Sequence, residues 1–271
     1  LASRQCIKAG ARLRISAFGG TTGIMVEFHE WSECKNEVVN GHDLILLFLP
    51  DEKFGMACKL VAAIVPSHYA SLERIAKILE RLGKQKVATY LREKLPQKPN
   101  IRSGDLGEIL ATQYIDERTA YKALVKRLRW KDHREMSMRG DDVIGIALPD
   151  GDAPIKFLKS EAKSRKSMSP SVARQARQAL NDGGGLPSPH ALAFVSDRLH
   201  ETGQDELADL IAWAQLRDGI SEKQVEHLFF TFCGNASDAF LKTDLEGYKG
   251  PIRQNVVGLR VVKYQEFVAA V

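Results

Sequence analysis

The sequence predicts an α/β protein with a mixed central sheet, flanking helices and a β-rich N-terminal region. Two β-prone runs, 142–148 and 155–163, are separated by the turn-like Pro149-Asp150-Gly151-Asp152 and read as a hairpin. Segments 71–83 and 87–95 repeat apolar residues at helical spacing. Hydrophobic residues make up 44% of the 271 and charged residues 27%, enough apolar side chains to build a core.

The elements follow in order. Residues 11–18 alternate Leu13, Ile15 and Ala17 with Arg12, Arg14 and Ser16, the pattern of a half-buried strand. Segments 25–31 and 44–49 are further strand candidates. The glycine-rich 19–23 is a turn, because no Gly-Lys-Ser/Thr follows to make a phosphate loop. Leu72, Ile75, Ala76, Ile78, Leu79 and Leu82 form one helical stripe that Gly83 ends. Pro96 and Pro99 mark a linker, dividing the chain into 1–98 and a core at 99–271. Ser103 is positioned to cap the next helix, which carries Glu108 among Leu106, Ile109, Leu110 and Tyr114. A strongly basic helical stretch, 117–130, precedes the hairpin. After it, Ser169-Pro170-Ser171 opens a helix through Leu180, and Gly183-Gly184-Gly185 closes it. The tail reads as strand 191–195, helix 205–217, strand 227–233 and strand 256–264.

Several classes of protein are excluded or disfavoured. No run approaches the ~20 apolar residues of a membrane-spanning helix. Arg4 and Lys8 are followed by mixed residues and not by an apolar block, so no secretory leader is expected. Cys6, Cys34, Cys58 and Cys233 are scattered without a CxxC pair, which fits reduced thiols in a cytoplasmic protein. His42, His133 and His200 lack metal-site spacing, and no GxSxG nucleophile motif occurs. The net charge is +5, yet segment 119–178 alone carries 14 Lys and Arg against 7 Asp and Glu. A basic surface around a few carboxylates suits a phosphodiester substrate and a divalent cation.

The chemistry concentrates in the hairpin. Asp142 opens its first strand. Glu161 and Lys163, two residues apart on the return strand, share one face. With the turn near Asp150, Asp142 and Glu161 lie together at the open end. Two carboxylates plus water and phosphate are the ligands Mg²⁺ takes, with the Ala162 carbonyl as an addition. Lys163 is placed to orient water and to stabilise charge developing on phosphate. Glu108, from the preceding helix, could hold a second metal or a metal-bound water. Lys159, Arg165, Lys166, Arg174, Gln175, Arg177 and Gln178 are candidate nucleic-acid contacts. Each candidate also has a plainer reading: a cross-strand ion pair for Glu161 and Lys163, a turn residue for Asp142, a first-turn carboxylate for Glu108, and a solvated basic helix for Arg174 and Arg177.

The order Glu108 on a helix, Asp141-Asp142 entering an apolar strand, then Glu161-Ala162-Lys163 resembles the PD-(D/E)xK nucleases. That likeness implies a restriction-endonuclease-like core and DNA cleavage with Mg²⁺ or Mn²⁺. Gln175 and Gln178 are similar to the polar helix that often follows the motif. Two departures exist: no proline precedes the aspartate, and Asp141 competes with Asp142. Asp142 is preferred because Val143-Ile144-Gly145-Ile146 follows it directly. The blocks Gly104-Asp-Leu-Gly-Glu-Ile, Arg139-Gly-Asp-Asp-Val-Ile-Gly and Lys159-Ser-Glu-Ala-Lys-Ser further resemble the HamA family, nuclease subunits of the Hachiman anti-phage system. This resemblance covers about 103–180 and implies a HamB-like helicase partner. The alternative from another class is a nucleic-acid-binding subunit that keeps the nuclease fold without turnover. A protein-interaction scaffold would leave the clustered basic charge unexplained.

Overall fold

A computed structural model of the chain describes residues 27–149, 151 and 153–271. The strand expected at 11–18 and the turn at 19–23 lie outside them.

The first described element is a short helix, α1 (Phe28–Trp31), where a strand was expected over 25–31. Phe28 and Trp31 are both fully buried with rings 5.0 Å apart, so this single turn serves as a core plug. Strands β1 (Glu33–Val39) and β2 (His42–Phe48) form a hairpin around Asn40-Gly41, both at positive φ. Helix α2 (Phe54–Tyr69) follows. Helix α3 (Leu72–Leu82) is capped by the Ser71 hydroxyl, which accepts from the Arg74 amide, and stops at Gly83 as expected. Helix α4 is Lys84–Lys94. The next helix, α5 (Pro99–Arg118), starts four residues earlier than the sequence suggests. Pro99 occupies its first turn, where a missing amide costs nothing. Ser103 is therefore an interior, buried position and not a cap.

The basic stretch 117–130 is not one continuous helix: Glu117 and Arg118 end α5. After α5 the chain runs without helix or strand through 119–126, bridged to Ile146 by the paired backbone hydrogen bonds of Lys122, to a 3₁₀ turn at Arg127–Trp130. The hairpin is as expected: β3 (Val143–Ala147) pairs antiparallel with β4 (Lys156–Arg165). Helix α6 (Pro170–Asn181) runs to the glycine triplet, whose three positive φ values turn the chain. Residues 191–195, expected as a strand, belong to helix α7 (Pro189–Glu201), capped by the Ser188 hydroxyl. Helix α8 (Asp205–Trp213) ends in a π-turn, followed by β5 (Val225–Cys233) and α9 (Asp238–Gly247). Strand β6 (Arg253–Arg260) ends before the expected 264, and Tyr264 opens α10 (Tyr264–Ala270).

The six strands form one mixed sheet in the order β1-β2-β6-β5-β4-β3. Only the two outer pairs are antiparallel; β2, β6, β5 and β4 run parallel. Such strands are buried on both faces and read as nearly continuous apolar runs. Phe229, Phe230 and Phe232 of β5 are all fully buried. Phe230 and Phe232 pack on the α5 and α10 side with Phe28 and Phe267, while Phe229 packs on the α6 and α9 side with Leu241 and Leu245. The mixed sheet flanked by helices is the architecture expected from the sequence.

A polar chain crosses this core beneath the glycine triplet. The His227 Nε2 lies 2.7 Å from the Gly185 carbonyl and its Nδ1 lies 3.0 Å from the Gln254 amide nitrogen. Gln254 can only donate there, so His227 carries its proton on Nε2 and is neutral. Arg177 donates to the Gln254 oxygen and to Asp244. Burial pulls His227 down to about 4. The unfolded imidazole titrates near 6.5, so the stability from keeping His227 neutral is present above pH 6.5 and is lost as pH falls toward 4. We expect His227 to contribute on the order of 3 kcal/mol to acid unfolding over that window. Thermal melts of wild type and His227→Gln between pH 7 and 4 check this: the variant should show the shallower decline, and parallel curves would refute it.

Candidate active site

The open end of the β3–β4 hairpin carries the site. Val143 pairs with Ser160, so the next position sets Asp142 opposite Glu161 at the sheet edge. Asp142 is anchored there by the Ala162 amide, which donates to its Oδ2 at 2.8 Å. Lys163 donates to Glu161 on the same strand face. The sheet therefore brings Asp142 together with Glu161 and Lys163, which lie 19 and 21 residues further along the chain.

Glu108 arrives from the other side of the sheet. Helix α5 lies against β4, and a Cβ on Gly107 would come within 2.9 Å of the Ser164 Cβ, so only glycine permits this approach. The contact is pinned by hydroxyls: Ser103 Oγ to Ser164 Oγ is 3.0 Å, and both bond to the Tyr264 hydroxyl. Ser164 faces α5, so by strand alternation Glu161 and Lys163 face away from it. Glu108 reaches the site through Asp142 at the edge. The connector is Arg127, a residue sequence reasoning did not single out. Its Nε donates to Glu108 at 3.0 Å, one terminal nitrogen lies 3.8 Å from Asp142, and it also donates to the carbonyls of Met138 and Asp141.

Asp141 has a different task. Its carboxylate accepts from the Ser188 amide at 2.7 Å, tethering the start of α7, with Lys159 3.7 Å away. Asp142 is thus the aspartate that faces Glu161. The expected nucleic-acid contacts divide similarly. Arg165 at the end of β4, Lys166 just after it, and Arg174, Gln175 and Gln178 on α6 are exposed. Lys159 is buried and donates to the Asp182 carbonyl, and Arg177 is held by Asp244 and Gln254 beneath the Tyr248 ring.

Burial raises all three carboxylates. Desolvation is the largest cause for Glu108, Asp142 and Glu161 alike. Asp142 pushes both glutamates further up, whereas Arg127 opposes the rise at Glu108 and Asp142, and Lys163 opposes it at Glu161. Arg127 and Lys163 offset the burial of these carboxylates only in part, and a divalent cation would supply further positive charge. Among the described residues no three Asp, Glu, His or Cys side chains converge as a complete metal site. The pair Asp142 and Glu161 nonetheless fits Mg²⁺, which binds through one or two carboxylates and completes its octahedron with water and phosphate.

At the β3 edge, Asp142 and Glu108 border a cavity of 610 Å³ that lies between α5 and α7 and extends to Trp130, Phe194 and Arg198. No helix among the described residues is long and apolar enough to cross a membrane.

Comparison with known proteins identifies the family of the chain. It is 30% identical over 179 residues to the Hachiman protein HamA of Bacillus cereus, covering 64% of this chain and 63% of that protein. The chain thus spans less than two thirds of that relative's length. The family model for HamA matches residues 26–271, a range that contains every described element of the fold and the entire carboxylate cluster, and the chain belongs to the HamA family.

Proposed function

We propose that this chain is a metal-dependent deoxyribonuclease of the PD-(D/E)xK type, acting as the effector of an anti-phage complex with a helicase partner. The observation that carries this reading is the placement of Asp142 opposite Glu161, with Lys163 on the same face, at a sheet edge flanked by exposed cations. Asp142 and Glu161 would hold Mg²⁺ or Mn²⁺, which when bound polarises the phosphate and acidifies water. The Ala162 amide fixes the Asp142 carboxylate in place, so little reorganisation is needed on loading. Lys163 offers its ammonium to the developing negative charge, and its contact with Glu161 keeps it aimed. Arg127 restrains Glu108 and Asp142 from the far side of the edge. Arg165, Lys166 and Arg174 are exposed along the approach and would grip the phosphate backbone, steering DNA without reading its sequence. Membership of the HamA family and the likeness to the Hachiman protein HamA support the defence role and a partner subunit, and a helicase is the partner proposed for it.

Incubating purified protein with linear, circular and single-stranded DNA, alone and with a helicase of the same system, tests the reading. Cleavage is expected with Mg²⁺ or Mn²⁺ and none in EDTA. DNA binding without cleavage under every metal and partner condition would instead identify a non-catalytic binding subunit.

A further inference from the structure

We propose that the cavity beside Asp142 and Glu108 receives the unpaired terminal nucleotide of a DNA strand, its base resting on Trp130, Phe194 and Arg198. This deepens the nuclease reading and rests on it for the location of the scissile phosphate. The cavity holds 610 Å³, within the range of small-molecule sites and ample for one nucleotide. Its inner wall is a shelf of π-systems. The Trp130 and Phe194 rings stand perpendicular with centroids 6.2 Å apart, and the Arg198 guanidinium lies 5.8 Å from one and 5.3 Å from the other. Bases of single strands stack on such aromatic and guanidinium planes, whereas a duplex keeps its bases stacked on one another.

Two residues of this lining each carry a polar atom with no hydrogen-bond partner among the described residues. The Arg198 Nε and the Nε2 of His68, which is only 2% exposed, are both buried without a hydrogen bond. Unsatisfied buried polar atoms are costly, and the two residues that carry these border one cavity. Burial, together with Lys126 and Arg129, holds His68 neutral, so its Nε2 suits the edge of a base and not a phosphate. Phosphate has its own candidate in Lys126, whose ammonium rests on the Ser67 hydroxyl at 2.9 Å with no carboxylate in ion-pair range among the described residues. Exposed Arg139 stands at the same cavity. The exposed cations Arg165, Lys166 and Arg174 then hold the continuing backbone beside Glu161 and Lys163, Asp142 lies at the edge, and the last nucleotide enters the cavity between α5 and α7.

The test is binding in EDTA, where no cleavage can occur. Fluorescence anisotropy would compare a short single-stranded DNA with a dumbbell duplex that has no ends, using wild type, Trp130→Leu and Arg198→Leu. Each substitution is expected to weaken single-strand binding by about tenfold and dumbbell binding by less than about twofold. Photocrosslinking of a 5-iododeoxyuridine placed at the strand terminus should label a peptide containing Trp130 or Phe194 in the wild-type protein. That arm decides the matter even if a variant does not fold. Unchanged single-strand affinity in folded variants, equal losses on both DNAs, or a terminal crosslink elsewhere would overturn the proposal. Failure of the nuclease reading shows separately, as absence of Mg²⁺- or Mn²⁺-dependent cutting by a protein that still passes these binding tests.

Discussion

Glu161→Gln and Lys163→Met are each expected to lower the rate of DNA cleavage by about 10²–10³-fold while leaving the fold intact. The two substitutions keep side-chain volume, so the sheet edge should not collapse. The informative part is the sign of the stability change. Glu161 is mostly buried beside Asp142, and its carboxyl is held above the usual range first by desolvation and then by that neighbour. Removing its charge should therefore leave the metal-free protein as stable as wild type at pH 8, or more so, because repulsion with Asp142 disappears. Lys163 is opposite in kind. Its ammonium relieves Glu161, so Lys163→Met should lower the melting temperature in EDTA and recover part of the loss when Mg²⁺ is added. Melting curves with and without Mg²⁺, beside cleavage rates on one linear substrate, check both effects. A Glu161→Gln protein that cuts at the wild-type rate would remove Glu161 from the chemistry. One that loses activity together with its fold would show that the residue is structural.

The contrast between what was and was not legible in the sequence follows the range of the interactions. The β3–β4 hairpin was legible because its register is local: two β-prone runs and a turn place Asp142 opposite Glu161 with few alternatives. Helices α3 and α6 were legible because their starts carry explicit chemistry, Ser71 and Pro170. Segment 191–195 (Ala-Leu-Ala-Phe-Val) misled because a short apolar run has no period of its own, and the deciding signal lay outside it, in Ser188-Pro189 ahead of the helix. Helix α2 was not singled out because it is apolar around much of its circumference and contains Gly55 and Pro66, which read as breakers. At the site, Asp142, Glu161 and Lys163 could be named from spacing. The bridging role of Arg127 could not, since it depends on how segment 119–131 folds back across α5. For the same reason the inward turn of Lys159 and Arg177 was invisible: alternation tells which face a side chain takes, not whether a carbonyl or a carboxylate waits there.

Among the contacts that hold that fold-back is the buried ion pair of Lys131 and Asp105, and its removal is the largest stability effect we expect. Lys131 donates to both oxygens of Asp105 at 2.6 Å, and the Tyr69 hydroxyl donates to Asp105 Oδ2 at 2.6 Å. Both charged side chains are about 5% exposed or less, so water cannot stand in for a lost partner. Lys131→Met strands the carboxylate of Asp105 with Tyr69 alone, at an expected cost of about 3–5 kcal/mol and a fall in Tm of roughly 10 °C. Burial already raises Asp105 above the usual carboxylate range, and Lys131 is the chief opposing influence. In the variant the carboxyl titrates higher still. The deficit should therefore be small in acid, where Asp105 is protonated in both folded and unfolded chains, and should grow as pH rises through the folded value. A double variant, Asp105→Asn with Lys131→Met, should regain much of the loss, because it removes the stranded charge as well as its partner. A deficit that is flat with pH and not relieved by Asp105→Asn would mean that lost packing of the lysine stem is responsible instead. The pair also matters beyond stability. Lys131 lies one residue past the 3₁₀ turn that carries Arg127, so releasing it frees the arginine that joins Glu108 to Asp142. Activity should consequently fall at temperatures where the variant is still folded, which separates a loosened site from an unfolded protein.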